Sequence, residues 1–147
     1  EFARNVLDLR DANTVECDAA TKNPIIHINP NQAANVENNR YGGTMRLGAY
    51  DCELRSGSKV QKLYKATNIS ERHRHRYEFN NAYREQMEKA GMQMVGVNKE
   101  TDLVEIIELE NHPYFVGSQF HPEFKSRPMH PHPLFVGLVK AALGQKK

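Results

Sequence analysis

A histidine and a glutamate lie two residues apart near the end of the sequence, with a proline between them. His121 and Glu123 belong to the string Phe120-His121-Pro122-Glu123-Phe124. Near neutral pH an imidazole accepts or releases a proton, and a neighbouring carboxylate fixes its tautomer and stabilises its charged form. The pair predicts general acid–base chemistry, although it lacks a nucleophile. The alternative is a surface histidine and carboxylate that carry out no chemistry.

An apolar run just before this pair is typical of a buried strand. Residues 114–120 are rich in aromatic and β-branched side chains and carry no charge. Open α/β sheets place their functional sites at the carboxyl ends of strands. His121 and Glu123 therefore fall where a site is expected.

Arginine and histidine alternate within residues 70–79, which predicts one strand. One face of this strand would carry His73, His75, Tyr77 and Phe79. The other face would carry Arg72, Arg74, Arg76 and Glu78. The arginine face indicates anion recognition, because guanidinium groups bind carboxylates and phosphates through paired hydrogen bonds. The alternatives are a solvated face or a nucleic-acid surface with aromatic stacking platforms. A net charge of only +2 argues against nucleic acid.

A metal site is a further alternative for the histidines. His73 and His75 share a predicted strand face, and His130 and His132 bracket Pro131. Histidine commonly binds zinc, but no cysteine or third histidine stands at a confirming spacing. The sequence therefore favours no metal ligand.

The two cysteines are poor candidates for the missing nucleophile. Cys17 and Cys52 each have an acidic residue on both sides. Neighbouring carboxylates raise the pKa of a thiol, and neither residue lies in a nucleophile turn between a strand and a helix. Because the two cysteines do not have the spacing of metal ligands, they predict a reduced, intracellular protein.

Composition and periodicity predict one domain that mixes helices and strands. The 147 residues are 26% charged and 39% hydrophobic, without a signal peptide or an apolar run near the roughly 20 residues that span a bilayer. We predict helices up to residue 9 and at 58–64, 81–90 and 133–143, and further strands at 24–28, 44–50, 92–97 and 103–109. A turn is predicted at 11–14 and an exposed mobile loop at 31–39. The first helix lacks an N-cap, so we expect the chain to be a piece of a larger protein.

Five strings of the sequence resemble the C-terminal class I glutamine amidotransferase domain of the CTP synthase family. They are DANTVE (11–16), GGTMRLG (42–48), ERHRHRYE (71–78), LVEIIE (103–108) and QFHPEF (119–124). The string FHPE is common to class I amidotransferases, whereas GGTMRLG and ERHRHRY are more specific to CTP synthases. The resemblance covers the chain except residues 31–39. It implies the C-terminal portion of an α/β, flavodoxin-like domain, with a mixed sheet flanked by helices.

The resemblance also implies roles for single residues. His121 and Glu123 would be the second and third members of a Cys-His-Glu triad. Glu16 and Arg76 would hold the substrate L-glutamine, since a carboxylate suits its α-ammonium group and an arginine fork its α-carboxylate. Residues 42–48 resemble the family's lid over the glutamine site, which responds to the activator GTP.

The parent enzyme implied by the resemblance aminates UTP to CTP with ATP and ammonia from glutamine, as a cytoplasmic homo-oligomer without nucleic-acid or membrane partners. Residues 1–147 would be a partial amidotransferase domain without a cofactor of its own. The cysteine elbow and oxyanion glycines would precede Glu1, and a separate synthetase domain would hold ATP, UTP and Mg²⁺. Without a thiolate and an oxyanion hole, we expect the chain alone to be inactive. The alternatives are a non-catalytic homologue that lost its nucleophile and the glutaminase part of another class I amidotransferase.

Overall fold

A computed structural model describes residues 1–28 and 45–144 of the chain. The predicted loop at residues 31–39 and the first half of the lid segment, residues 42–44, lie outside these ranges. In chain order the strands are β1 (Asn13–Thr14), β2 (Pro24–Ile28), β3 (Arg46–Leu54), β4 (Asn68–His75), β5 (Tyr77–Phe79), β6 (Met92–Asn98), β7 (Leu103–Leu109) and β8 (Val116–Ser118). The α-helices are α1 (Phe2–Asn5), α2 (Lys59–Tyr64), α3 (Arg84–Lys89) and α4 (Pro133–Gly144).

The described strands form two sheets. The larger has the order β4-β3-β6-β7-β8, and all its neighbouring strands are antiparallel. The smaller has the order β1-β2-β5, in which β1 and β2 are parallel and β5 is antiparallel to β2. The predicted mixed sheet is therefore the smaller one. None of the described helices is long and apolar enough to cross a membrane.

Helices cover both faces of the larger sheet, and β6 contributes to the core on each side. Met94 packs with Met87 of α3 and Phe79 of β5 in one apolar cluster. Val95, which points to the opposite face, packs with Val60 of α2 and Leu134 of α4 in the other. Successive side chains of a strand alternate between faces, so one buried strand can fill two cores. This layering agrees with the predicted sheet flanked by helices.

Helix α2 begins at a carboxylate supplied by β7. The buried side chain of Glu108 accepts hydrogen bonds from Lys59 N (3.1 Å) and Val60 N (3.2 Å). Ser58 is the N-cap, and its Oγ accepts from Gln61 N (3.0 Å). A helix N-terminus leaves its first N–H groups without intrahelical partners, so these acceptors satisfy them. The predicted start of this helix is confirmed.

The strands β2 and β7 and the hairpin of β6 with β7 are also confirmed, but three other predictions were wrong at their ends. The first helix ends at Asn5 rather than near residue 9, because the backbone turns into the left-handed region at Asp8 (φ 54°). The predicted turn at 11–14 contains β1, which pairs with β2. The helix predicted at 81–90 opens as a 3₁₀ turn, Asn81–Tyr83, capped by Asn80.

The strand predicted before His121 is shorter and less buried than expected. Only Val116–Ser118 forms β8, and all three residues are half-buried. Within the described sheet β8 pairs with β7 alone, so it is an edge strand and its other side remains accessible. Phe120, which follows it, is buried in the core.

Candidate active site

His121 and Glu123 contact each other just after β8. His121 Nδ1 lies 2.7 Å from Glu123 Oε1, and the two side chains are 37% and 56% exposed. When the Nδ1–H group donates to the carboxylate, the neutral ring keeps its Nε2 lone pair for proton exchange. The structure therefore places the predicted acid–base pair in hydrogen-bond contact and within reach of solvent.

The short spacing of the pair folds into a single 3₁₀ turn, Pro122–Phe124. His121 is its N-cap, with extended backbone angles of φ −107° and ψ 93°. A residue before proline avoids the helical region, and proline suits the first position of a helical turn. Phe124 N donates to His121 O (3.1 Å) and closes the turn. The sequence His-Pro-Glu thus encodes the local geometry of the pair.

Hydrogen bonds join this turn to the outer edge of β4. His121 N donates to Arg72 O (2.9 Å), and Lys125 Nζ donates to Ser70 O (2.7 Å). In the described sheet β4 is a terminal strand, whose outward carbonyl groups need partners from outside the sheet. These two bonds supply partners and fix the position of His121 relative to β4.

Glu123 supplies a negative charge beside the imidazole. Hydrogen bonds from its own backbone N–H and from His121 lower the pKa of Glu123 below its ordinary value of 4.5. The carboxylate therefore stays ionised at neutral pH. It holds the proton of His121 on Nδ1 and stabilises the imidazolium form when Nε2 gains a proton.

Arg76 lies at the bend between β4 and β5, where it lines a cleft of about 520 Å³. Phe124, from the turn that carries Glu123, lines the same cleft. The remaining lining residues are Met45, Leu47, Gly48, Arg72, His73 and Arg74. Arg76, which was predicted to bind an anion, therefore lines a cleft that extends to the turn carrying His121 and Glu123.

Glu16 is exposed and follows the end of β1. Strand β1 runs parallel to β2, and β5 runs antiparallel to β2 with Tyr77 opposite Ile28. Glu16 and Arg76 consequently lie beyond strand ends at the same end of the smaller sheet, and β2 lies between the two strands that they flank. The topology brings the two predicted glutamine-binding residues to one sheet end.

A buried charged cluster borders the cleft, and the sequence analysis missed it. Arg46 is 4% exposed and donates to Glu105 Oε1 (2.8 Å) and to Glu78 Oε1 (3.4 Å). Its guanidinium also lies 4.2 Å from the centre of the Tyr50 ring. One cation thus faces two carboxylates inside the protein.

Two predictions about side-chain faces are corrected by this cluster. Residues 70–79 do not form one continuous strand, because the chain bends at Arg76 and passes from one sheet to the other. Glu78 is therefore buried instead of lying on a solvated face with the arginines. In β3, Arg46 points inward and Leu47 is 56% exposed. Ion pairing with buried carboxylates decides this orientation.

His73 and His75 extend the cluster towards the cleft. His75 Nδ1 donates to Tyr77 O (3.1 Å), so in the neutral ring its Nε2 accepts from His73 Nδ1 (2.8 Å). His73 Nε2 then faces Glu105 Oε2 at 3.6 Å, and neither atom has a hydrogen-bond partner among the described residues. Burial lowers the pKa of His73 to about 3 and that of His75 to about 4, and it raises the pKa of Glu105. Burial thus disfavours the charged form of both groups.

One signal in the sequence could have revealed the cluster. Glu105 and Glu108 interrupt an otherwise apolar strand, LVEIIEL. Carboxylates in a strand that is buried on both faces require buried partners. Arg46 and the N-terminus of α2 are those partners.

The alternative of a metal site gains no support from the described residues. Within residues 1–28 and 45–144, no group of three or more potential ligands is arranged to hold a metal. His132 Nε2 instead lies 3.1 Å from Glu71 Oε1 and 3.0 Å from the Tyr64 hydroxyl. His132, which lies in the loop before α4, thus contacts both β4 and α2.

Neither cysteine belongs to the candidate site. Cys52 is buried in the apolar cluster that contains Val60, and burial raises the pKa of its thiol to about 12. Cys17 is exposed in the turn after β1. The attacking thiolate of an amidotransferase would have to come from elsewhere.

The fold is that of a class I glutamine amidotransferase. The profile of the family described as "Glutamine amidotransferase class-I" matches residues 12–141, and the chain belongs to this family. Curated proteins similar to this chain include CTP synthases. That of Fibrobacter succinogenes is 57% identical over 149 residues, covering 100% of this chain and 26% of the relative. That of Bacteroides fragilis is 57% identical over 143 residues, covering 97% of this chain and 26% of the relative.

A solved structure with the same fold is the glutaminase domain of Trypanosoma brucei CTPS with bound acivicin. It has a TM-score of 0.87 and 35% identity, and the match covers 99% of this chain and 55% of that chain. The chain spans about a quarter of the length of the curated relatives that it matches.

Proposed function

We propose that this chain is part of the glutaminase domain of a CTP synthase, in which it supplies the histidine and the glutamate of a Cys-His-Glu triad. The observation that carries the proposal is the 2.7 Å contact between His121 Nδ1 and Glu123 Oε1, on an accessible turn. The similarity to CTP synthases supports the choice among class I amidotransferases.

His121 moves the protons of glutamine hydrolysis in this proposal. Its Nε2 takes the proton of a cysteine thiol supplied by another part of the domain, and the thiolate attacks the side-chain amide carbon. The same nitrogen then protonates the departing ammonia and removes a proton from the water that cleaves the thioester. Glu123 holds the tautomer throughout and stabilises each imidazolium state.

Arg76 and Glu16 bind the amino-acid end of L-glutamine. The arginine fork donates to the α-carboxylate in the cleft that Phe124 also lines. Glu16, at the same end of the smaller sheet, receives the α-ammonium group. Opposite charges at the two positions would select a zwitterion and orient its side-chain amide.

The remainder of the parent protein performs the synthetase reaction. We place residues 1–147 as a partial amidotransferase domain of a longer, cytoplasmic chain of pyrimidine biosynthesis, whose synthetase domain binds ATP, UTP and Mg²⁺. Ammonia released from glutamine is the nitrogen donor for UTP. GTP is the activator, acting through the lid segment at residues 42–48, and the full protein is a homo-oligomer.

The first test is His121→Ala in the full-length protein. The imidazole acts only in the hydrolysis of glutamine, so we expect glutamine-dependent CTP formation to fall by several orders of magnitude. Ammonia-dependent CTP formation should stay near the wild-type rate, because it bypasses the glutaminase site. His130→Ala is the matched control, since His130 is exposed and lies outside the proposed triad.

Two results would contradict the proposal. Full glutamine-dependent activity of His121→Ala would remove this residue from the triad. A wild-type parent that forms CTP from ammonia but never from glutamine would favour the alternative of a non-catalytic amidotransferase homologue.

A further inference from the structure

We infer that Phe124 is a positioning residue for His121: it holds the imidazole by stacking and supports its charged form. The inference rests on the proposed function, because it concerns how the proposed base works. The ring centroids of His121 and Phe124 are 5.0 Å apart, and their planes are inclined by 23°. This is the near-parallel arrangement in which aromatic pairs attract each other.

The 3₁₀ turn explains why these two rings meet. A 3₁₀ turn contains three residues, so Phe124 follows the N-cap His121 by one turn. The bond from Phe124 N to His121 O (3.1 Å) fixes the geometry. Stacking is therefore a property of the folded turn and does not require a bound substrate.

Phe124 completes the restraint of the imidazole. The bond from His121 N to Arg72 O holds the backbone, and Glu123 Oε1 holds the ring at Nδ1. One contact at one ring atom still allows the ring to rock about that contact. A second ring against its face removes this motion and fixes the direction of Nε2, which must align with the reacting proton.

The same contact favours the protonated state. An aromatic face attracts a cation within about 6 Å of its centroid, and the His121 ring lies inside this distance. Glu123 acts on the edge of the imidazolium, whereas Phe124 acts on its face. Both groups thus stabilise the state that exists after His121 takes a proton.

Phe124 could instead serve only to shape the cleft that it lines with Arg76. A lining role changes the KM for glutamine and leaves kcat unaffected. A positioning role lowers kcat and leaves KM near its wild-type value. The two roles therefore separate in one set of kinetic measurements.

The test compares Phe124→Leu, Phe124→Met and Phe124→Tyr in the full-length protein, with glutaminase kinetics recorded across pH. For Leu and Met we expect kcat to fall about threefold to tenfold, with KM within about twofold of wild type. Tyr keeps the ring and should restore kcat.

Controls separate this inference from folding and from the proposed function. Ammonia-dependent CTP formation should be unchanged in all three variants, and Phe115→Leu, at an equally exposed phenylalanine, should match wild type. An unchanged kcat in both non-aromatic variants, an effect confined to KM, or a Tyr variant as impaired as Leu would overturn the inference alone. Absence of glutaminase activity in the wild-type protein would instead overturn the proposed function.

Discussion

The guanidinium of Arg76 offers what a lysine cannot provide at the same place. Its planar fork makes two parallel hydrogen bonds to a carboxylate, whereas an ammonium group acts as a point charge. Arg76 lies at the bend after β4, in the cleft shared with Phe124. In the proposed function this position binds the α-carboxylate of glutamine, and the geometry of the fork would provide the specificity.

Arg76→Lys should therefore weaken the use of glutamine in the full-length protein. The loss of one charge-assisted hydrogen bond amounts to about 1.5–3 kcal/mol, or roughly one to two decades in kcat/KM for glutamine. Ammonia-dependent turnover should remain near normal. Steady-state kinetics with both nitrogen donors measures the difference.

Arg84→Lys is the matched control for this substitution. Arg84 belongs to α3 and pairs with Asp102 (3.2 Å), so it should tolerate lysine in both assays. If Arg76→Lys showed wild-type glutamine kinetics, the carboxylate would be bound by other residues and Arg76 would belong to a solvated face.

At the scale of elements, the break between β4 and β5 determines which ionisable side chains are buried inside the protein. It turns Glu78 inward to face Arg46 (3.4 Å) and Gln119 Nε2 (3.1 Å). Burial, together with the charge of Glu105, raises the pKa of Glu78 to about 7. The folded protein therefore holds a proton on this carboxyl group that an unfolded chain releases at lower pH.

Because Glu78 binds its proton more tightly in the folded protein than in the unfolded chain, its contribution to the free energy of unfolding falls as pH rises. The pKa of Glu78 is about 7 when folded against an ordinary 4.5, so its contribution to the free energy of unfolding is fully present below pH 4.5. That contribution is lost as pH rises towards 7. Glu78→Gln removes this titration while keeping the shape. Its destabilising effect relative to wild type should be largest below pH 4.5 and should shrink by about 1–3 kcal/mol between pH 5 and pH 7.5.

Chemical denaturation of both proteins across this range tests the prediction. His73 and His75 have lowered pKa values and give a slope of opposite sign in both proteins. The difference between the proteins therefore reports the titration of Glu78 together with its coupling to His75, whose Nδ1 lies 3.6 Å from Glu78 Oε1. The exposed Glu85 provides a control, since Glu85→Gln should show a difference that is small and flat with pH. An equal loss for Glu78→Gln at every pH would show that its carboxyl does not titrate in this window.

These elements also show how far the sequence alone could predict the structure. The strands β2 and β7, the cap at Ser58 and the pairing of His121 with Glu123 depend on residues close together in sequence, so local patterns were sufficient. The burial of Glu78 and Arg46 depends on Glu105, which is 59 residues from Arg46. Alternation within one strand contains no information about such a partner. The predicted contact of Glu16 and Arg76 with glutamine stays a prediction.

For the molecule as a whole, β6 is a strand whose packing leaves no room for an added side-chain atom. It contributes to both apolar clusters, and Gly96 lies where β6 pairs with both β3 and β7. A Cβ atom at Gly96 would lie 2.7 Å from Ile106 Cγ1 and 2.9 Å from Cys52 Sγ. The absence of a side chain here permits the close packing of Ile106 and Cys52 over the strand.

Gly96→Ala should therefore lower the free energy of unfolding by about 1–3 kcal/mol, because the surrounding core must shift. Gly117→Ala is the matched control in β8, since its Cβ would meet only the outer atoms of Ile107, at 3.0 Å or more. It should have a smaller effect because that side chain can turn away. Denaturant titration of both variants measures the difference, and equal losses would contradict the packing argument.

The carboxylate of Glu108 at the start of α2 has a consequence for the order in which the protein folds. The groups it binds are 48 and 49 residues away along the chain, so this helix lacks its terminal acceptor until β7 has arrived. A helix of only 6 residues is too short to persist by itself in water. Formation of α2 must consequently wait for closure of a long loop, which is entropically slow. The helix and the central hairpin should appear together in a single kinetic phase, and the nascent chain should gain α2 only after residue 108 has been synthesised.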